Sequence, residues 1–223
     1  MAKYSDIKGF TVQTLSSDTV ASQAGGGSWA SGGSMNTARR RILGSGTQTA
    51  AIAVAGYSTA AQALAETYDG SSWTEGGDLN TQRDSGGMAG LAPYTATIYF
   101  GGGNSPSGNT GKSETWNGSA WTEVNDLPTS NYGAWAMGTS TSGIYYGGED
   151  RPPGSRVTTT LSWDGSSWST VNSLSTALYQ VAGGVGGNGK NAIQFSGYNG
   201  SSGVANTEEW SAADFEIKTV TTS

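Results

Sequence analysis

The chain contains no cysteine and no histidine. Without thiols there is no disulfide framework, no thiolate nucleophile and no thiolate metal site, and without imidazole the Ser-His-Asp, Cys-His, His-Glu-x-x-His and Cys/His zinc arrangements are all excluded. Charge is also scarce: charged residues make up 13% of the chain against a usual ~25%. The 11 Lys and Arg against 17 Asp and Glu leave a net charge of −6, which gives no basis for nucleic-acid binding through the phosphate backbone. The only basic run is Arg39-Arg40-Arg41, read as a corner leading into a strand with solvated side chains. No stretch approaches the ~18 consecutive apolar residues of a membrane span, and Met1 to Lys8 has no apolar run of signal-peptide length, so the expectation is a chain made in the cytoplasm without membrane insertion.

Glycine, by contrast, supplies 36 of 223 residues, about 16% against a usual ~7%. Eight Trp, ten Tyr and apolar runs such as Ala51-Ile52-Ala53-Val54 provide the buried surface that a disordered glycine-rich chain lacks. The composition therefore predicts a turn-dense, folded chain.

Its organising mark is Tyr68-Asp69-Gly70-Ser71-Ser72-Trp73-Thr74-Glu75, which returns as Trp116-Asn117-Gly118-Ser119-Ala120-Trp121-Thr122-Glu123 and as Trp163-Asp164-Gly165-Ser166-Ser167-Trp168-Ser169-Thr170. Asp-Gly and Asn-Gly corners accept the positive φ of tight turns, so each copy reads as two strands joined by a hairpin. Trp29 begins a further partial copy, and Trp29, Trp73, Trp121 and Trp168 are separated by 44, 48 and 47 residues. A four-strand repeat of this length is a propeller-blade period.

Within each period four pieces recur. Strand a is small and glycine-rich (Gly86–Gly90, Ala134–Gly138, Val181–Gly184), and strand b is apolar and ends in glycine (Ile52–Gly56, Ile98–Gly102, Ile144–Gly148, Ile193–Gly197). Strand c holds Glu66-Thr67-Tyr68, Glu114-Thr115-Trp116, Leu161-Ser162-Trp163 and Glu208-Glu209-Trp210, and strand d starts at the repeat Trp. An aromatic run closing in Gly-Gly, then Glu-x-Tyr/Trp, a short turn and Trp, resembles the kelch repeat over about residues 28 to 212. The resemblance implies an all-β fold, a kelch-type β-propeller. The chain departs from the pattern at Ala55-Gly56 and Ser196-Gly197, where the glycine pair is incomplete, and at Asn131 and Leu178, which fill places held by Arg39 and Arg83.

The pieces predict four blades, with Trp29 opening an N-terminal outer strand that completes the C-terminal blade and closes the ring; the tail Ala213 to Thr222 competes for that place. The organisation is then an arm over residues 1–27, a propeller over 28–212 and a strand-like tail over 213–223. Whichever terminal strand is left over, with Phe10 to Leu15, is free to pair with a partner or a second copy of the chain.

No catalytic, cofactor or metal site is expected. Glu208-Glu209, adjacent on a strand, point to opposite faces and do not form a glycosidase pair. Asp164-Gly165-Ser166-Ser167-Trp168 differs by one residue from the Asp box of sialidase propellers and reads as a structural hairpin with a packed Trp. The b–c loops, Gly103 to Gly111 and Glu149 to Arg156, project on the side opposite the c–d hairpins and form the candidate recognition face. The residues singled out for partner binding are Glu149, Asp150 and Arg151 on that face and Phe10, Val12, Ile217 and Val220 in the terminal strands.

The Asn117-Gly118-Ser119-Ala120-Trp121-Thr122-Glu123-Val124 style of repeat, the run Gly46 to Ala51 and the opening Lys8-Gly9-Phe10-Thr11-Val12-Gln13-Thr14-Leu15 are similar to kelch-like proteins of marine tailed phages. That resemblance implies a non-enzymatic virion component, attached to other virion proteins through its terminal arms and displaying the propeller towards a cell-surface glycan or protein. A glycan-binding propeller outside any virion and an intracellular kelch-type adaptor are the other two readings.

Overall fold

A computed structural model describes residues 28–90, 94–104, 108–150, 154–184 and 189–212. The chain divides between Ser31 and Gly32. Of the first unit only Ser28 to Ser31 are described; they form no strand, and Trp29 is fully exposed.

From Gly32 onward the described residues form strands and turns with no helix, and so no helix that could cross a membrane. The first sheet joins β1 (Leu43–Thr47), β2 (Ala50–Val54), β3 (Ala65–Tyr68) and β4 (Trp73–Glu75) in that order. The second joins β5 (Gly87–Ala89), β6 (Thr97–Phe100), β7 (Ser113–Trp116) and β8 (Trp121–Val124) in the same way. In the third repeat β9 (Trp135–Thr139) and β10 (Ser142–Tyr146) are followed by a small hairpin, β11 (Glu149–Asp150) with β12 (Ser155–Arg156), before β13 (Thr160–Trp163) and β14 (Trp168–Thr170) complete the four-stranded sheet. The fourth sheet has three strands, β15 (Ala182–Gly183), β16 (Asn191–Tyr198) and β17 (Gly203–Ser211). All pairings are antiparallel, a set of meanders consistent with a β-propeller.

Apart from the outer strand of the fourth sheet, strands a to d thus fall where the repeat pattern places them. The innermost strands pack in chain order, β1 beside β5, β5 beside β9 and β9 beside β15. They carry small residues because the space is tight: a Cβ on Gly87 would lie 2.4 Å from the Phe100 ring and 2.9 Å from Tyr145. Apolar strand b supplies the interior, with Ile52, Ile98, Tyr99, Phe100, Ile144, Tyr145 and Leu161 of strand c at 0–1% exposure. Burial pushes the Tyr99 phenol up to about 12 and raises that of Tyr145 further.

The end of strand b has one conformation in all four repeats whatever its sequence. Gly101 and Gly147 have φ of 63° and 68°, and Ala55 and Ser196, which replace them, have 59° and 62°. An L-residue in this region is held there against a penalty of about 1–2 kcal/mol. Ser196 is exposed, so Ser196→Gly loses little burial and is expected to stabilise by about 1 kcal/mol, raising Tm by about 2–4 °C in a thermal unfolding experiment. Ala55 is fully buried, so in Ala55→Gly the lost methyl contact, about 0.8 kcal/mol, offsets the relief and Tm is expected to stay nearly unchanged.

The outer strand expected at Trp29 is not formed. Trp29 lies in no strand, and β17 forms the edge of the fourth sheet among the described residues. The repeat-matching residues after it are nonetheless in register: Gly33 sits over the Ser71 carbonyl as Gly77 sits over that of Ser119, and Asn36 bonds Glu66 as Asn80 bonds Glu114. Side-chain similarity to the repeat therefore extends one strand further than strand pairing does.

The c–d hairpins are fastened by their first residue. Asp69 Oδ1 accepts the Ser71 and Ser72 amides at 2.8 Å, Asp164 does the same for Ser166 and Ser167 at 2.8 and 2.7 Å, and the serine hydroxyls add further bonds. Asn117 and Asn199 hold the matching amides in the second and fourth repeats. These backbone bonds, seconded by the hydroxyls, hold both aspartates well below the usual carboxylate range. A depressed folded-state pKa means that the stabilisation is present above the ordinary carboxylate value and fades as pH falls below about 4. Asp69→Asn with Asp164→Asn is therefore expected to leave stability at pH 7 nearly unchanged and to flatten its decline below pH 4, measured by urea unfolding across pH.

Candidate interaction face

Beyond the left-handed end of strand b, each repeat makes one isolated two-bond bridge to the residue following the d–a loop. The four bridges are Arg40 with Tyr57, Asp84 with Gly103, Tyr132 with Glu149 and Tyr179 with Tyr198, with N···O distances of 2.8–3.1 Å. The residue after each first partner, Arg41, Ser85, Gly133 or Gln180, again has positive φ. Four equivalent backbone clamps thus mark the face of the b–c loops, where Arg40, Tyr57, Tyr179 and Tyr198 are accessible and Asp84, Tyr132 and Glu149 are buried.

Those side chains are mostly Tyr and Arg. The Arg40 guanidinium lies 5.0 Å from the Tyr57 ring centre, and that of Arg41 lies 5.7 Å from Tyr57 and 5.9 Å from Tyr132 while reaching Asp84 Oδ1 at 3.5 Å. Farther round, Arg156 lies 5.3 Å from Tyr179 and 5.5 Å from Tyr198, whose rings meet edge to face, and pairs with Glu149 at 3.6 Å. Stacked Arg and Tyr present planar donors and aromatic faces, a surface suited to binding. Among the described residues no group of three or more Asp or Glu forms a metal-binding cluster.

The residues predicted for partner binding separate accordingly. Glu149 is 4% exposed; it is buried as a scaffold residue, with its carbonyl accepting from Asn109 Nδ2 at 2.8 Å, because strand β11 turns it inward against Arg156. Asp150 is half-buried beside Ser155. Arg151, Phe10, Val12, Ile217 and Val220 lie outside the described residues. The basic run is not uniformly solvated: the Arg39 side chain is fully buried against Glu66 at 2.5 Å, and only Arg40 and Arg41 reach the surface.

Tyr57, Tyr132, Tyr179, Tyr198 and Arg156 were not singled out by sequence. The signal was present, since each stands one place beyond a repeat landmark, either the strand-b glycine or the Arg39/Arg83/Asn131/Leu178 position, apart from Arg156 in its b–c hairpin. It was hidden because these positions vary in residue type while their backbone does not.

No protein-family model matches the chain, and no curated protein matches it.

Proposed function

We propose that the chain is a non-enzymatic component of a tailed-phage virion, a four-bladed kelch-type propeller that displays its b–c face and attaches to other virion proteins by strand pairing. The observation that carries the attachment is the edge of β17, nine residues long and the outermost described strand of its sheet. Long open edges invite a further strand, and the alternating sequences at Phe10 to Leu15 and Phe215 to Thr222 are the candidates for exchange with neighbours.

Ring closure is supported by two matching aromatic residues. Trp168 of the third sheet packs on Phe100 of the second at 4.7 Å. By repeat position Trp73 of the first sheet and Phe195 of the fourth form the corresponding pair; Phe195 is 41% exposed and Trp73 half-exposed. Closing the ring brings them together.

Mass spectrometry of purified particles tests the virion reading: the chain is expected at fixed stoichiometry with the structural proteins, and its absence would overturn the proposal. The Arg-Tyr face favours a second reading, a glycan-binding propeller, because stacked aromatic rings and guanidinium groups suit sugar faces and hydroxyls. Retention on a glycan array that Tyr179→Ala abolishes, together with absence from particles, would select it.

A further inference from the structure

Between the third and fourth sheets lies a cavity of about 250 Å³ whose lining includes Tyr146, Ser173, Gln194, Glu208, Glu209 and Trp210. Its polar groups form an incomplete copy of an arrangement that the first two repeats complete. At one register position, strand b places Ala53, Tyr99, Tyr145 and Gln194 opposite Glu66, Glu114, Leu161 and Glu208 of strand c. In the first and second repeats the glutamate divides its oxygens. Oε2 accepts the amide of Asn36 or Asn80 at 2.7 Å, and Oε1 holds the guanidinium of Arg39 or Arg83 at 2.5 or 2.9 Å. In the third repeat donor and acceptor are absent together, with Asn131 and Leu161 in place of Arg and Glu.

Only the fourth repeat keeps half of the pair. Glu208 Oε2 accepts the Ser175 amide at 2.8 Å, but Leu178 stands where the arginine would be, and Glu208 Oε1 is buried with no donor among the described residues. Gln194, 2% exposed, spends its amide NH₂ on the Ser196 carbonyl, and its Oε1 is likewise buried without a donor among the described residues. Two buried acceptors on facing residues call for a donor, because a buried acceptor without one loses its water and gains nothing in return, the more so for a carboxylate.

The surrounding rings say which donor. Trp168 of the third sheet touches Phe100 of the second and Tyr145 and Trp163 of its own; one repeat further on, the counterparts are Tyr146 of the third sheet and Gln194 and Trp210 of the fourth, all of which line the cavity. The site keeps two aromatic walls but exchanges a third ring for an amide oxygen beside a carboxylate. A planar cation with several N–H donors stacks on such rings and bonds such oxygens, whereas an ammonium is a strongly hydrated point charge.

We propose that this cavity binds the guanidinium of an arginine side chain presented by a partner polypeptide, with Glu208 Oε1 and Gln194 Oε1 as its acceptors and Tyr146 and Trp210 against its faces. The site stands apart from the b–c face and lies against Glu208 to Ser211 of β17, the strand whose edge the proposed attachment uses.

The test is calorimetric titration of the full chain with N-acetyl-arginine amide, N-acetyl-lysine amide and N-acetyl-citrulline amide, the last keeping shape without charge. Arginine is expected to bind saturably and at least about tenfold more tightly than either analogue. Glu208→Gln, nearly isosteric, is expected to weaken it by about tenfold or more while thermal unfolding shows the chain still folded. Leu178→Arg supplies a guanidinium from within, as Arg83 does, and is expected to abolish binding without lowering Tm. Equal affinity for arginine and citrulline, or arginine binding unchanged in both variants, would overturn the proposal.

Discussion

Replacing Arg83 with Leu is expected to destabilise the chain by about 3–5 kcal/mol, because it strands the Glu114 carboxylate in the interior. Both side chains are 0% exposed and meet at 2.9 Å. Arg83 also donates to the Lys112 carbonyl at 3.0 Å and lies 5.0 Å from the Tyr99 ring. Burial pulls the guanidinium below its ordinary pKa, opposed by Glu114, yet guanidinium titrates so far above neutrality that it remains charged. Removing one partner of a desolvated pair leaves the other without compensation, whereas removing both takes away the desolvation penalty along with the attraction. The third repeat lacks both charges, with Asn131 and Leu161 in their places. The expectation for Arg83→Leu with Glu114→Leu is therefore a loss of about 1 kcal/mol or less, well below either single change. Urea unfolding of the four proteins measures this directly, and additive losses would contradict it.

Trp168→Ala is expected to cost about 3 kcal/mol, since its ring bridges two sheets. It meets Phe100 of the second sheet at 4.7 Å, and Tyr145 and Trp163 of its own at 6.5 and 5.1 Å. The equivalent Trp73 rests on Tyr68 of its own sheet at 5.0 Å. On the proposed ring closure Trp73 gains Phe195, so Trp73→Ala is expected to cost about as much as Trp168→Ala. Chemical denaturation compares the two; a loss near 1 kcal/mol for Trp73→Ala, the worth of a single aromatic contact, would argue for an open ring.

Much of the architecture was legible because the repeat is written in side chains that the backbone demands. Asp69-Gly70, Asn117-Gly118 and Asp164-Gly165 marked the hairpins correctly, with φ at Gly70, Gly118 and Gly165 of 96–99°, and the apolar b runs marked the interior. The misspaced Asp of the hairpin proved to be a fastener of turn amides. What escaped the reading was of two kinds. Ala55 and Ser196 disguise a left-handed turn that all four repeats share, since tertiary packing can hold an L-residue where glycine is preferred. Glu149 and Arg39, charged residues in loop-like sequence, are buried because a partner elsewhere in the chain neutralises them: Arg156 for one, Glu66 for the other. Spacing along the chain carries no record of such pairings. Trp29 shows the converse, a residue that matches the repeat in sequence but lies in no strand.

The exchange of Arg and Glu among repeats also separates structure from binding. Where both are present they bind each other, where both are absent Asn131 donates to the Gly147 carbonyl beside Leu161 and no charge is buried, and where only the acid remains the proposed site takes a cation from outside. The interaction face and this cavity are then two distinct candidate surfaces, one of Tyr and Arg and one lined by Glu208 and Glu209.

The most direct test is a cryo-EM map of the tailed-phage particle to which the chain is proposed to belong. The account predicts a four-bladed ring on the outside of the particle, Phe195 packed against Trp73, with attachment through paired terminal strands. A map without the chain, or with the chain attached through the Arg-Tyr face and its terminal segments unpaired, would contradict it.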